Sequence, residues 1–383
     1  MKIARALLFT VIPVLISAII QGCSQGEYST NPPPAANPFG DAVNVAVDAS
    51  GNLFIGGVTG SSSSQLPCYW ENGALVTTLP VGQGNFAFSI GWGAVDAGGD
   101  FFAAGAAGPT ADTLVPSYWE NGALTYLTAG TSASGIASGI LARGQNLYAS
   151  GGVGPSASSL VPCSWTNGVL TLLPMGTGNS YGQGFTVLLD ASANLYVAGA
   201  VGTSSAGLVP AYWLNGALTL LPLGTGNTYG LVAGMTIDSA GNVYFAGVAG
   251  TSGSSVAPCV WVNGALTTLT VGTGDTQGWA TGVAVDASGN VLVAGAVGGS
   301  NAALLPCFWR NGSLSFLPTG ASATGGFVNG AALDAGGNFY VVGDTTSAAG
   351  QTPCYWKNGG LTLLPQASLG ALSETRRILA TPR

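Results

Sequence analysis

The stretch Trp261-Val262-Asn263-Gly264 decides the fold, because its pattern Trp-x-Asn-Gly occurs seven times in the chain. The copies follow one another at a period of about 48 residues. The tryptophans of the seven copies are Trp70, Trp119, Trp165, Trp213, Trp261, Trp309 and Trp356. A repeat of this length is one supersecondary unit that stacks on copies of itself, so the units are expected to share one continuous core.

Each unit predicts four short β-strands separated by turns. In the sixth unit, residues 282–318, four β-favouring runs of about five residues alternate with turn-forming residues. Asn311-Gly312 joins the last two runs, and this dipeptide favours a tight hairpin because both residues readily take positive φ angles. The repeat therefore predicts an all-β fold, a seven-bladed β-propeller with four antiparallel strands per blade over residues 39–365. Strands are labelled a to d from the axis outward.

An aspartate stands at the predicted end of strand a in six of the units, and Ala142 takes its place in the third. The six are Asp48, Asp96, Asp190, Asp238, Asp286 and Asp334. Such a residue could belong to a calcium loop, or it could hold a tight turn by accepting hydrogen bonds from backbone amides. We favour the turn and expect no metal site, because calcium takes six or more oxygen ligands and each turn offers one carboxylate.

The repeat tryptophans allow two interpretations. One Trp per blade could stack on sugar rings, or it could pack against the adjacent blade. Each of these tryptophans directly precedes the c–d turn, a fixed place in the unit, and this favours packing.

Five cysteines share one position, two residues before a repeat tryptophan. They are Cys68, Cys163, Cys259, Cys307 and Cys354. Equivalent positions in different blades lie too far apart for a disulfide, which needs Cα atoms within about 7 Å. Ser117 and Ala211 replace the cysteine in the remaining units, so these positions are predicted to hold small buried side chains.

The composition argues against several function classes. The sequence has no His, which excludes a Ser-His-Asp triad and removes the commonest metal ligand. Charged residues make up 6% of the chain, and the few cations form no patch that would bind nucleic acid. The acids outside the repeat positions are scattered and form no recurring pair for glycoside hydrolysis. They are Glu71, Asp100, Asp112, Glu120, Asp275, Asp344 and a few acids nearer the ends of the chain. We therefore expect no catalytic residue and no cofactor.

The N-terminus carries an export signal. Two cations precede an apolar run within residues 1–22, and Ile20-Gln21-Gly22-Cys23 resembles the lipobox of bacterial lipoproteins. The resemblance implies cleavage before Cys23, lipidation of that residue, and anchoring in the cell envelope at the outer membrane or cell surface. An ordinary signal peptide with an incidental cysteine is the alternative. Residues 23–38 include Pro32-Pro33-Pro34 and predict an extended tether, and the tail 366–383 lies outside the repeats.

Alternating strand direction predicts two different faces. The a–b and c–d turns share one face, called the tight-turn face, and the b–c and d–a loops share the other, called the loop face. The loops vary, and variable loops on a regular scaffold commonly carry binding sites. Several pair an amide or carboxylate with an aromatic ring that could grip a neutral ligand such as a glycan, or could pack within the loops. These candidate ligand residues are Asn85, Phe86, Trp92, Asn179, Tyr181, Asn227, Tyr229, Asp275, Trp279 and Phe327.

Two parts of the repeat resemble known extracellular β-propellers. The stretch Asp190-Ala-Ser-Ala-Asn194-Leu-Tyr-Val-Ala-Gly199 resembles the NHL-like repeats of bacterial surface proteins, and Pro-x-x-Trp-x-Asn-Gly-x-Leu is similar to HAF-type repeats. The resemblance implies a bacterial lipoprotein that binds or scaffolds. Our first hypothesis is a non-enzymatic module that binds a glycan or an envelope or host protein through its loop face and touches the membrane through its N-terminal lipid. A structural or adhesion scaffold and a polysaccharide-active enzyme are the alternatives.

Overall fold

The computed structural model describes residues 38–61, 64–81, 86–88, 91, 93–108, 113–156, 158–299 and 304–366. These residues form seven antiparallel sheets in a ring, which confirms the predicted seven-bladed β-propeller. The predicted signal peptide, Cys23, the tether before Pro38 and the tail beyond Gln366 lie outside the described residues, as do Asn85 and Trp92. Within the described ranges, no helix is long and apolar enough to cross a membrane.

Each blade runs from the innermost strand a to the outermost strand d in sequence order. Blade 1 contains β1 (Pro38–Val47), β2 (Leu53–Ser61), β3 (Ser64–Glu71) and β4 (Ala74–Thr78). Blade 2 contains β5 (Phe86–Phe88) and β6 (Gly93–Val95), which both pair with β7 (Phe101–Gly108), then β8 (Val115–Glu120) and β9 (Ala123–Tyr126). Blade 3 contains β10 (Ser134–Arg143), β11 (Asn146–Gly154), β12 (Val161–Thr166) and β13 (Val169–Leu172). Blade 4 contains β14 (Tyr181–Leu189), β15 (Leu195–Gly202), β16 (Leu208–Leu214) and β17 (Ala217–Leu220).

The last three blades repeat this order. Blade 5 contains β18 (Tyr229–Ile237), β19 (Val243–Ser252), β20 (Ser255–Val262) and β21 (Ala265–Thr268). Blade 6 contains β22 (Gln277–Val285), β23 (Val291–Gly298), β24 (Leu305–Arg310) and β25 (Ser313–Phe316). Blade 7 contains β26 (Ala323–Leu333), β27 (Phe339–Ser347), β28 (Gly350–Lys357) and β29 (Gly360–Leu363).

The Asn-Gly turns form the predicted tight hairpins. In blade 5, Asn263 has a φ of 49° and Gly264 a φ of 86°, the left-handed values that such a turn requires. The side chain of Asn263 also bridges the two turns of the blade. Its Oδ1 accepts a hydrogen bond of 2.9 Å from the backbone N–H of Val243, and its Nδ2 donates one of 2.9 Å to Asn242.

The repeat aspartates hold the a–b turns. Asp238 accepts hydrogen bonds from the backbone N–H groups of Ala240 and Asn242 at 2.9 and 2.8 Å, and from the amide of Asn242 at 2.8 Å. In blade 3 the turn is one residue shorter, so Arg143, and not Ala142, pairs with Asn146 and takes the structural place of the aspartate. The guanidinium of Arg143 then donates a hydrogen bond of 2.7 Å to the backbone carbonyl of Asp190 in the next blade.

The repeat tryptophans join neighbouring blades. All seven are at most 1% exposed, and each indole Nε1–H donates a hydrogen bond of 2.7 to 2.9 Å to a backbone carbonyl that follows strand d of the preceding blade. The accepting residues are Pro365, Pro80, Thr128, Pro174, Pro222, Thr270 and Pro318. The tryptophans therefore pack between blades, and their rings are not available as platforms for sugar stacking.

The ring closes without an exchanged strand. Blade 1 is built from the N-terminal strands and blade 7 from the C-terminal strands, and β1 packs against β26, β27 and β28. Side chains supply the closing contacts. Trp70 donates to the carbonyl of Pro365 at 2.8 Å, and Asn329 donates to Asp41 Oδ1 at 2.7 Å and to the carbonyl of Ala42 at 3.0 Å.

The five repeat cysteines are free and buried. None of these five thiols forms a disulfide, in agreement with the spacing argument.

Candidate functional site

The predicted aromatic residues of the loop face lie inside the molecule. Tyr181 and Tyr229 open strand a of blades 4 and 5, Trp279 lies near the start of strand a of blade 6, and all three are less than 5% exposed. They belong to one apolar cluster with side chains from blades 2 to 6, and partly buried Phe327 packs against it. Trp279 and Phe327 meet edge to face with ring centroids 6.3 Å apart. Phe86 is the first residue of β5. The rings of Tyr181, Tyr229, Trp279 and Phe327 therefore pack in the interior next to the loops.

The predicted amides hold the d–a loops in shape. Asn179 Nδ2 donates a hydrogen bond of 2.7 Å to the carbonyl of Met175, and Asn227 Nδ2 donates one of 2.8 Å to the carbonyl of Leu223. Asp275 occupies the same place before blade 6, where its backbone N–H donates to the carbonyl of Gly272 at 3.1 Å. The side chains of both asparagines are thus engaged within their own loops.

What the loop face presents to solvent is a repeated hydroxyl surface. Three consecutive d–a loops read Gly-Thr-Gly, then Asn or Asp, then Ser or Thr, at residues 176–180, 224–228 and 272–276. The threonine of each Gly-Thr-Gly is exposed; these are Thr177, Thr225 and Thr273. Ser180 and Thr228 donate hydrogen bonds to carbonyls of the adjacent b–c loops at 2.8 and 3.0 Å, which fixes the two kinds of loop together.

Buried polar atoms lie beneath these loops. Gln183 Nε2 donates a hydrogen bond of 2.7 Å to Ser138 Oγ across the junction of blades 3 and 4. Within the described structure, Gln183 Oε1, Ser150 Oγ and the Tyr229 hydroxyl are buried without a hydrogen-bond partner. Burial raises the pKa of Tyr181 to about 12, so its hydroxyl is neutral at physiological pH.

Two carboxyl groups interact electrostatically at the ring closure, where blades 1 and 7 adjoin. Asp41 lies in strand a of blade 1, and Asp344 lies in strand b of blade 7, opposite Phe327 in the ladder. Asp344 is 2% exposed and accepts a hydrogen bond of 3.0 Å from the Thr346 hydroxyl. Asn329 donates to Asp41. The sequence did not show this single pair, because blades 1 and 7 are farthest apart in the chain although they adjoin in the ring.

Burial changes the protonation of this pair. Removal from water raises the pKa of Asp344 to about 7. Burial and, next, the charge of Asp344 raise the pKa of Asp41 well above its usual value, against the hydrogen bond from Asn329, which lowers it. The pair therefore holds a proton near neutral pH. One carboxyl group can then donate a hydrogen bond or a proton while the other accepts, which is the requirement for general acid–base chemistry.

A signal for Asp344 was present in the repeat. It lies opposite the strand-c proline of its blade, and the other blades carry apolar residues there. Those residues are Val58, Ala106, Gly152, Ala200, Val248 and Ala296. An alignment of the seven blades would therefore identify Asp344 as the only charged residue at this position.

The tight-turn face offers no comparable chemistry. Both carboxylate oxygens of a repeat aspartate such as Asp190 already accept hydrogen bonds from amide groups. Among the residues the structure describes, no three His, Cys, Asp or Glu side chains come together in a way that could hold a metal ion.

Comparison with known proteins shows the architecture. No protein-family model and no curated protein matches the chain. Among solved structures, it is similar to an ulvan lyase of a polysaccharide lyase family, with a TM-score of 0.54 and 11% identity over 90% of this chain and 98% of that one. A puromycin-hydrolyzing peptidase from Mycobacterium tuberculosis gives a TM-score of 0.53 and 10% identity over 90% of this chain and 56% of that one.

The extracellular domain of a hybrid two component system from B. thetaiotaomicron is also similar, with a TM-score of 0.48 and 13% identity over 85% of this chain. The chain spans 38% of the length of that protein and 56% of the peptidase. At these identities the likeness extends to the β-propeller fold, which hosts both enzymes and non-enzymes.

Proposed function

We propose that the chain is an exported, lipid-anchored propeller that binds a glycan or a protein partner through the loop face of blades 4 to 6 and catalyses no reaction. The observation that carries the proposal is the threefold repetition of one exposed d–a loop at residues 176–180, 224–228 and 272–276. A repeated row of hydroxyl groups suits a ligand whose own hydrogen-bonding groups repeat, as those of a polysaccharide do.

Hydrogen bonds and packing hold the d–a loops in one conformation. Asn179 and Asn227 bond within the loops, Ser180 and Thr228 bond to the neighbouring b–c loops, and the buried rings fill the space underneath. A surface that is already ordered loses little conformational entropy on binding, which favours affinity. Asp275 adds one carboxylate to an otherwise neutral set of loops.

The test is a glycan array and a pull-down from envelope extract with the purified full chain in detergent. The triple variant Thr177→Lys, Thr225→Lys, Thr273→Lys blocks the exposed row without touching the buried rings. A matched control places the same three lysines on exposed strand-d threonines, in Thr219→Lys, Thr267→Lys, Thr362→Lys. Binding that is lost in the loop variant and kept in the control supports the proposal, and binding kept in both refutes it. A blank in both assays with the wild-type chain would favour the structural scaffold.

A polysaccharide-active enzyme remains the second candidate, and the Asp41–Asp344 pair is the observation that favours it. Burial raises the pKa of both carboxyl groups, and cleavage of a glycosidic bond needs one carboxyl group that keeps its proton beside another that can accept one. The 2% exposure of Asp344 favours binding over catalysis, since a substrate would have to reach a buried side chain. Incubation with a panel of polysaccharides distinguishes the two candidates. Product release that disappears in Asp344→Asn would establish the enzyme, and no product release from the wild type would favour the binding module.

A further inference from the structure

A groove of about 130 Å³ lies between blades 3 and 4. Its lining comes from strands c and d of blade 3 and from strands b and c of blade 4, so it opens on the outer part of the ring. Buried Ser164, Leu173, Val197 and Trp213 form its floor. It shares no residue with the loop face or with the acid pair.

The groove exists because one side chain in the repeat is small. Ser164 directly precedes the repeat tryptophan Trp165, and in each of the other blades that position holds a larger side chain. The larger residues are Tyr69, Tyr118, Tyr212, Val260, Phe308 and Tyr355. Five of the six are aromatic.

At three other junctions this ring packs onto an aromatic ring in strand b of the next blade. The centroid distance is 5.4 Å from Tyr69 to Phe101 and 5.0 Å from Tyr212 to Phe245. Phe308 and Phe339 make the same contact at 6.0 Å between blades 6 and 7. Between blades 3 and 4, Leu195 and Val197 lie where this contact would form, and Ser164 leaves the space open.

We propose that this groove binds a phenol ring, either as a small molecule or as a tyrosine side chain of a partner. The architecture itself shows that an aromatic ring fits at this position, since five blades carry one. The volume has the right scale, because a cavity of about 150 Å³ accepts benzene. The floor is apolar apart from Ser164, and the exposed Thr166, Thr171 and Asn215 at the mouth can bond the phenol hydroxyl.

The test uses the full chain in detergent, labelled with 5-fluorotryptophan and titrated with p-cresol. We expect the fluorine resonance of Trp213, assigned by its loss in Trp213→Phe, to shift on saturation. N-acetyltyrosinamide distinguishes the two sources: a shift with both ligands supports a partner's tyrosine, and a shift with p-cresol alone supports a small phenol. An unchanged Trp213 resonance with both ligands would overturn the proposal.

Variants that copy the residues of the other blades give the controls. Ser164→Tyr restores the missing ring and is expected to raise Tm and abolish the p-cresol response. Ser164→Val introduces the residue of blade 5 and should weaken p-cresol binding at least tenfold, which keeps the test decisive if the tyrosine variant does not fold. Tyr212→Ser opens the equivalent space between blades 4 and 5 and should add a second response at Trp261. Wild-type affinity in Ser164→Val would refute the site.

Discussion

The indole N–H of Trp70 donates a hydrogen bond of 2.8 Å to the backbone carbonyl of Pro365, 295 residues further along the chain. The same bond joins every other pair of neighbouring blades across a separation of 37 to 39 residues, as between Trp261 and Pro222. The seventh junction therefore repeats the contacts of the other six without the loop that links them. Its strength depends wholly on noncovalent contacts between the two ends of the ring.

Trp70→Phe should weaken this junction more than Trp261→Phe weakens an internal one. Both changes remove one buried hydrogen bond and part of a ring, at a cost of about 1–3 kcal/mol in the free energy of unfolding. In Trp261→Phe the connecting loop still holds blades 4 and 5 together. Trp70→Phe should raise the rate of amide hydrogen exchange in β1 and β28. Trp261→Phe should raise that rate only within blades 4 and 5. Equal and purely local effects would contradict this account of ring closure.

The Asp41–Asp344 pair should make the closed ring less stable as the pH rises towards neutral. An unfolded Asp releases its proton near pH 4, whereas burial keeps the proton on Asp344 up to about pH 7. Below pH 4 both states are protonated, and the junction is at its most stable. Between pH 4 and 7 only the unfolded chain gives up the proton, so the free energy of unfolding falls, by on the order of a few kcal/mol.

Asp344→Asn is the matched variant, because it keeps the shape of the side chain and removes the titration of Asp344. Its Tm should exceed that of the wild type at pH 8, and the decline above pH 4 should become smaller, because only the contribution of buried Asp41 remains. The tight-turn aspartates act in the opposite sense. Hydrogen bonds from Asn242 lower the pKa of Asp238, so its contribution is present above pH 4 and lost in more acid solution. A variant whose Tm follows the wild-type curve from pH 4 to 8 would show that the pair does not control the junction.

The architecture could be read from the sequence because its determinants are local. The Asn-Gly turns, the strands between them and the tryptophan before each turn all lie within one 48-residue unit, as Asn263 and Trp261 show. The electrostatic interaction of Asp41 with Asp344 could not be predicted in this way, since it joins the first and the last blade. The sequence also did not show that the alternation of strand a turns candidate ligand rings such as Tyr181 inward, where they are buried.

Removing the carboxylate of an a–b turn should destabilise its blade. Calcium should not change the Tm of the wild type. Asp238→Ala leaves the N–H groups of Ala240 and Asn242 and the Tyr244 hydroxyl without their acceptor. We expect Tm to fall by roughly 2–4 °C. EDTA or millimolar calcium should leave the wild-type Tm unchanged, because the carboxylate oxygens already accept amide hydrogen bonds. A rise of Tm with calcium that is lost in Asp238→Ala would instead establish an ion site.

The repeat cysteines should be inert towards thiol reagents until the propeller unfolds. Burial raises the pKa of Cys259 to about 11 and raises those of Cys68 and Cys163 as well, so the reactive thiolate is scarce at neutral pH. DTNB should give almost no reaction with the native protein and rapid reaction in guanidinium chloride, and dithiothreitol should leave Tm unchanged. Cys259→Ala introduces the residue that Ala211 already provides in blade 4, and it should cost less than about 1.5 kcal/mol. Fast native labelling would show that the blades open at these positions.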